Sequence, residues 1–148
     1  MKTFRFPLQR VLEWRGLQMR TEEEKLAGLL RRLDTLSQKI NALTASELKS
    51  ESEVLKLSSV TGSDLQALTA FRARVKKERD ALEIERAQCA KQIALQRTRL
   101  LKARKDFRIL EKLKDRQKKA WVILSDRELE SVAADAHFSK LVHSGSEP

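Results

Sequence analysis

Apolar residues recur at heptad spacing along both halves of the chain. In the first half, one row of positions is apolar at six of seven places: Leu12, Met19, Leu26, Leu33, Ile40, Glu47 and Val54. In the second half, one uninterrupted register places apolar residues from Leu65 to Leu124, although Arg72, Arg79 and Arg86 occupy part of its first row. Apolar residues at alternating spacings of three and four form a narrow stripe on one helix face, as in a coiled coil. The pattern therefore predicts two long helices.

Residues that break helices are few, and their positions predict the boundaries. Pro7 suits a first helical turn, and Ser58–Asp64 is the one cluster of turn-forming residues in the middle of the chain. Ser63 and Gln66 fit a capping box for the second helix. We expect a single domain over residues 1–148, with a helix over about 7–58, a turn over about 59–63, a helix over about 64–142 and a disordered tail over 144–148.

The two apolar rows match when the chain folds back on itself. Leu33 then faces Cys89, Leu29 faces Ile93 and Ile40 faces Leu82, as antiparallel knobs-into-holes packing requires. This predicts an all-α fold, an antiparallel coiled-coil hairpin, rather than the alternative of a parallel homodimer of straight chains. Its predicted core is Leu26, Leu29, Leu33, Leu36, Ile40, Leu43, Leu82, Cys89, Ile93, Leu100 and Phe107.

The second helix is longer than the first, so it should overhang. From about Lys118 it has no facing residue in the same chain, yet Trp121 lies in this stretch and needs a surface that buries it. Ser125 and Glu128 could cap a separate helix, which leaves open whether the second helix breaks there.

Charge indicates the class of partner. The net charge is +10, which favours nucleic acid, anionic lipid or an acidic protein surface. Residues 97–119 hold eleven Lys and Arg against three acids, and residues 1–20 hold five against one. The hairpin brings these two segments together, beside off-stripe apolar residues such as Phe4 and Trp14. Cations around apolar anchors are typical of protein-binding surfaces, since aromatic and Arg side chains dominate interface energetics. A merely solvated charged face is the alternative.

The sequence offers no catalytic, cofactor-binding or metal-binding site. Cys89 falls in the apolar stripe, where a free cysteine acts as a small apolar residue. His137 and His143 lack further ligands at metal spacing. Neither a secretory signal nor an apolar run long enough to span a bilayer is present. We expect a cytosolic protein that is not an enzyme and has no small-molecule substrate.

Two segments resemble the FliJ family. Residues 4–12, Phe-Arg-Phe-Pro-Leu-Gln-Arg-Val-Leu, followed by Arg15, are similar to its opening F-x-F-x-L-x-x-[LV]-L. Residues 110–116, Leu-Glu-Lys-Leu-Lys-Asp-Arg, resemble its second block L-E-K-L-K-[ED]-R. The resemblance in architecture covers the whole length, whereas residue identity rests on these two blocks.

The resemblance implies a function. FliJ proteins are components of the flagellar type III export apparatus and form an antiparallel coiled coil similar to the central stalk of rotary ATPases. Their open end inserts into the hexameric export ATPase and promotes its activity, and they also contact the cytoplasmic domain of the export gate and escort export chaperones. The implied location is cytoplasmic, at the inner membrane of the flagellar base. By position, the implied ATPase-binding residues are Phe4, Phe6, Leu8, Leu12, Arg15, Leu110, Lys112, Leu113, Lys114, Arg116 and Trp121.

Two other functions fit the same features. The equivalent stalk of a virulence-type secretion system would share nearly all of them. A basic coiled-coil arm could also bind nucleic acid, although the helices offer no stacking platform or groove-reading motif.

Overall fold

The computed structural model describes residues 3–145 and contains two α-helices. Helix α1 spans Gln9–Leu55 and helix α2 spans Gly62–Ser144. The helices pack as an antiparallel hairpin, and no residue in the described range belongs to a β-strand. The predicted fold class is therefore confirmed. Helix α2 continues through Ser125 without a break.

The segments outside the helices are short. Residues 3–8 precede α1, and residues 56–61 connect the two helices. Helix α2 includes Ser144, the first residue of the predicted tail, and Gly145 lies in a turn. Residues 146–148 of that tail lie outside the described part of the chain.

A reciprocal cap starts α2. The Asp64 backbone N–H donates to Thr61 Oγ1 over 3.2 Å, and the Thr61 backbone N–H donates to Asp64 Oδ2 over 3.0 Å. The Thr61 hydroxyl also donates to that carboxylate oxygen over 2.8 Å. Two backbone donors that a helix start leaves unpaired are thus satisfied. The cap lies two residues before the Ser63–Gln66 pair proposed from the sequence, because Ser63 is already inside the first turn of α2.

Gly62 is the first residue of α2 and does not act as a left-handed turn residue. No described glycine has a positive φ, and a Cβ at position 62 would meet nothing within 4 Å. The chain reversal therefore uses the turn and bends over residues 56–59 rather than the conformational freedom of glycine.

The cap should make helix stability depend on pH. Hydrogen bonds from the Thr61 backbone and hydroxyl hold the pKa of the Asp64 carboxyl below its ordinary value of 3.8. A lowered folded-state pKa adds stability above the ordinary pKa, and this is lost as pH falls through the folded value. We expect acidification below pH 3.8 to fray the start of α2 in the wild type. In Asp64→Asn, the same acidification should leave the start of α2 as it is at higher pH. Amide exchange at residues 62–66 would measure it, and equal acid sensitivity in both proteins would contradict it.

The chain separates into two compact units. One, termed here the terminal unit, comprises residues 1–19 and 103–148, and the other, the central unit, comprises residues 20–102. Both helices contribute to each unit.

An apolar cluster organises the central unit. Leu36, Cys89 and Ile93 are buried together, and half-buried Leu26, Leu29, Leu33 and Leu82 pack against them. The Cys89 thiol donates to the Leu29 carbonyl over 3.5 Å and forms no disulfide. Ile40 and Leu100 are also buried, and Leu43 is half-buried. These are residues of the predicted apolar stripes, so the cysteine lies in the helix interface.

Polar layers also cross the helix interface in the central unit. Buried Gln96 donates through Nε2 to the Glu22 carbonyl over 3.1 Å and to the Glu22 carboxylate. Arg79 pairs with Glu47 over 3.2 Å, and Arg72 pairs with both Glu47 and Glu51. Two of the three arginines that interrupt the apolar stripe of α2, Arg72 and Arg79, are thus matched by glutamates on α1, whereas Arg86 pairs with Glu83 within α2. Paired polar layers of this kind favour one helix register, because a shift would separate the partners.

Candidate functional site

The terminal unit contains all eleven proposed ATPase-binding residues, on an apolar base of its own. Phe6 and Leu12 are each 7% exposed. Gly16 of α1 lies against the ring of Phe107 of α2, and a Cβ at position 16 would come within 3.1 Å of that ring. The absence of a side chain at Gly16 therefore lets an aromatic ring pack closely against α1.

The segment before α1 extends the pairing along α2. The ring centroids of Phe4 and Trp121 lie 6.0 Å apart, with the ring planes tilted by 52°. Trp121 is half-buried, and Ser125 is 8% exposed. The expectation that α2 lacks a partner from about Lys118 onward was therefore wrong for Trp121.

The reason is the conformation of residues 3–6. They are not helical, and chain outside a helix can advance further than the about 1.5 Å per residue of a helix. The segment therefore reaches further along α2 than a helical start would. All described residues after Ser125, which are residues 126–145, are exposed.

Arg15 is fixed by several contacts at once. Its Nη1 donates to Asp106 Oδ2 and to Gln18 Oε1, each over 3.3 Å. Its guanidinium carbon also lies 4.9 Å from the centroid of the Trp14 ring, a distance suited to a cation–π contact. Trp14 itself remains 52% exposed. An ordered arginine beside an exposed tryptophan gives this surface two residue types that recur as interface anchors.

The eleven predicted residues differ in their accessibility. Phe6 and Leu12 are buried, so they support the surface and do not form it. Six are half-buried: Phe4, Arg15, Leu110, Leu113, Lys114 and Trp121. Leu8, Lys112 and Arg116 are exposed. A partner of the folded terminal unit would therefore meet mainly the exposed members and the outer parts of the half-buried ones. Phe107, which was predicted for the core, is half-buried against Gly16.

Several exposed apolar side chains were not among the predicted binding residues. Trp14, Ile109, Val122 and Ile123 are between 41% and 56% exposed. Val122 and Ile123 line a shallow depression with Asp115, Lys118 and Lys119. Trp14 and Ile109 occupy off-stripe positions within the basic segments 1–20 and 97–119, a signal visible in the sequence, whereas Val122 and Ile123 lie just beyond the second segment.

Among residues 3–145, no group of three or more His, Cys, Asp or Glu side chains could hold a metal ion. Within the same range, neither helix has a stretch that is both long and apolar enough to cross a bilayer. The terminal unit presents cations, aromatic rings and aliphatic side chains at its surface.

Comparison with known protein families gives a match over most of the chain. A family model described as "Flagellar FliJ protein" matches residues 4–130. No curated protein and no solved structure matches the chain. The matched range includes both segments that carried the resemblance in the sequence, and it covers most of the chain.

Proposed function

The chain belongs to the flagellar FliJ family and is thus a component of the flagellar export apparatus, and from this premise we propose that its terminal unit binds and stimulates the hexameric export ATPase. The observation that supports this proposal is the surface of that unit. Exposed Lys112 and Arg116 and exposed Trp14 lie on the same unit as the fixed side chain of Arg15.

The buried base of the terminal unit explains how such a surface could bind with little loss of freedom. Phe6, Leu12 and the Phe107–Gly16 contact hold the N-terminal segment and both helices together. Ordering before binding reduces the conformational entropy that association costs. We therefore assign the buried members of the predicted set a supporting role, and Leu8, Lys112, Lys114 and Arg116 a contacting role.

Electrostatics would favour encounter with an acidic ATPase surface. Residues 97–119 carry eleven cations against three acids, and complementary charge accelerates association. The aromatic and aliphatic side chains would then supply contacts that last after encounter. The family description is flagellar, which favours the flagellar ATPase over a virulence-type one.

We propose contacts with the cytoplasmic domain of the export gate and with export chaperones, and a cytoplasmic location beside the inner membrane at the flagellar base. Near the connection between the helices, Phe71 is half-buried and is the one aromatic residue of that region, so it is the first position to alter in a test of gate binding.

Charge reversal tests the ATPase contact. In Lys112→Glu/Lys114→Glu/Arg116→Glu, we expect the concentration of chain needed for half-maximal ATPase stimulation to rise about tenfold or more, because attraction becomes repulsion. The measurement is steady-state ATP hydrolysis by the cognate flagellar ATPase at increasing chain concentration.

A control with the same change in net charge separates local contact from total charge. Arg31→Glu/Arg32→Glu/Lys39→Glu alters three exposed cations of α1 in the central unit and should stimulate the ATPase like the wild type. Circular dichroism should show equal helix content in all three proteins. Undiminished stimulation by the Lys112/Lys114/Arg116 variant would refute the proposed contact.

A further inference from the structure

One face of α2 in the terminal unit carries cations and aliphatic side chains and has no partner among the described residues. Its positions follow spacings of four and three, which place side chains on one helix face. They are Lys105, Ile109, Lys112, Arg116, Lys119 and Ile123, termed here the outer stripe. All six are exposed, and Ile109 and Ile123 are 56% and 54% exposed.

The outer stripe is uniformly basic or apolar. The acids of this part of α2, Asp106, Glu111 and Asp115, occupy other helical positions, and Asp106 is paired with Arg15. None of the four stripe cations forms an ion pair with another described residue. The stripe spans the 19 residues 105–123, so its ends lie about 27 Å apart at about 1.5 Å per residue. Four cations are therefore held in a line with their charge available to a partner.

We infer that the outer stripe binds the surface of an anionic phospholipid bilayer. Lipid headgroup phosphates complement the four cations. The exposed isoleucines, with exposed Val122 beside Ile123, can enter the boundary between headgroups and acyl chains, where apolar area adds to binding. A helix that lies on the bilayer in this way does not cross it.

The mixture of side chains favours lipid over nucleic acid. Phosphates of a nucleic acid would pair with the cations, but Ile109 and Ile123 would add nothing to the affinity for a nucleic acid. Single-stranded nucleic acid is held by aromatic stacking, and no stripe position is aromatic. A bilayer surface binds both kinds of side chain on the stripe, the cations through headgroup phosphates and the isoleucines at the acyl boundary. Lys112 and Arg116 also belong to the proposed ATPase contact, so the two partners would compete for them.

Vesicle co-sedimentation of the purified full chain tests this inference. We expect binding to phosphatidylcholine vesicles that contain phosphatidylglycerol, little binding to pure phosphatidylcholine vesicles, and weakening at high salt. Lys105→Glu/Lys112→Glu/Arg116→Glu/Lys119→Glu should reduce the partition coefficient on the order of a hundredfold or more, since each basic residue near such a surface contributes. The assay contains no ATPase, so its result is independent of the ATPase measurement.

Two matched controls make the assay specific. Arg31→Glu/Arg32→Glu/Lys39→Glu/Lys49→Glu changes the net charge equally at exposed positions of α1 and should bind like the wild type. Ile109→Gln/Ile123→Gln should weaken vesicle binding, whereas Leu48→Gln/Ile84→Gln, at sites 62% and 61% exposed, should not. Circular dichroism would check that every variant keeps its helix content.

Three outcomes would overturn the inference. One is no binding to the phosphatidylglycerol vesicles. Another is an equal loss in the stripe and control charge variants, which would assign binding to net charge alone. The third is binding to a single-stranded oligonucleotide that depends on the stripe cations while vesicle binding does not. Vesicle binding lost only with the stripe cations, and weakened only by the stripe isoleucines, would support it.

Discussion

Replacing Leu36 with Ala is expected to lower the free energy of unfolding by about 2–5 kcal/mol. Leu36 is 4% exposed and lies in the cluster with Cys89 and Ile93. The substitution removes three carbons from the helix interface and leaves a cavity that the facing helix can only partly fill. Because the apolar interface is one narrow layer, few other contacts can compensate. Urea unfolding followed by circular dichroism would measure the change.

A leucine on the same helix provides the control. Leu48 is 62% exposed, so Leu48→Ala should change the stability by no more than about 0.5 kcal/mol. Both substitutions replace the same residue type within α1, so differences in helix propensity cancel. Equal losses in the two variants would show that Leu36 does not lie in the interface that stabilises the hairpin.

The second large effect is expected for Phe6→Ala. Truncation of a buried Phe costs about 3–5 kcal/mol, and Phe6 is 7% exposed although it lies outside both helices. We expect residues 3–8 to detach from α2 in this variant. Trp121 would then lose the cover of Phe4, whose ring lies 6.0 Å away. In a Trp14→Phe background, the fluorescence of Trp121 should shift to longer wavelength.

Phe138 supplies the matched control for Phe6. It is 67% exposed on the same terminal unit, so Phe138→Ala should leave both the stability and the Trp121 emission near the wild-type values. An unchanged emission in Phe6→Ala would mean that the N-terminal segment is held by other contacts, and the surface assigned to the terminal unit would need a different base.

The heptad pattern predicted the helix pairing because an antiparallel interface depends mainly on period and register. A residue count alone placed Leu33 opposite Cys89 and Leu29 opposite Ile93, and the structure packs Leu29 and Leu33 against the cluster of Cys89 and Ile93. Side-chain chemistry adds little to this pairing, because any apolar residue at these spacings is directed toward the facing helix. The helix–helix fold was therefore accessible from the sequence.

Other features depend on choices between local alternatives that a pattern cannot rank. Thr61 with Asp64 and Ser63 with Gln66 both have cap-like spacing, and only the hydrogen bonds of the folded chain select the first. Phe4, Phe6 and Leu8 alternate with period two, which is the signal of extended chain, but Pro7 lies between Phe6 and Leu8 and indicates the first turn of a helix. The pairing of Phe4 with Trp121 was missed for that reason.

The ion pairs between the helices are a further feature that the heptad pattern does not predict. Arg72 and Arg79 interrupt the apolar stripe, and the heptad pattern does not indicate which side chains they contact. In the structure they pair with Glu47 and Glu51. Long side chains reach several partners from one backbone position, so heptad positions do not predict which ion pairs form. The pattern likewise assigns the proposed binding residues to one end of the hairpin but does not predict their exposure.

We propose above all that the terminal unit binds the flagellar export ATPase. A pull-down of the cognate ATPase by the immobilised full-length chain, at low and moderate salt, tests it most directly. We expect the wild type and the Arg31/Arg32/Lys39 charge-reversed control to retain the ATPase, and the Lys112/Lys114/Arg116 charge-reversed variant to lose it as salt rises. Equal retention by all three proteins, or no retention by the wild type, would contradict the claim.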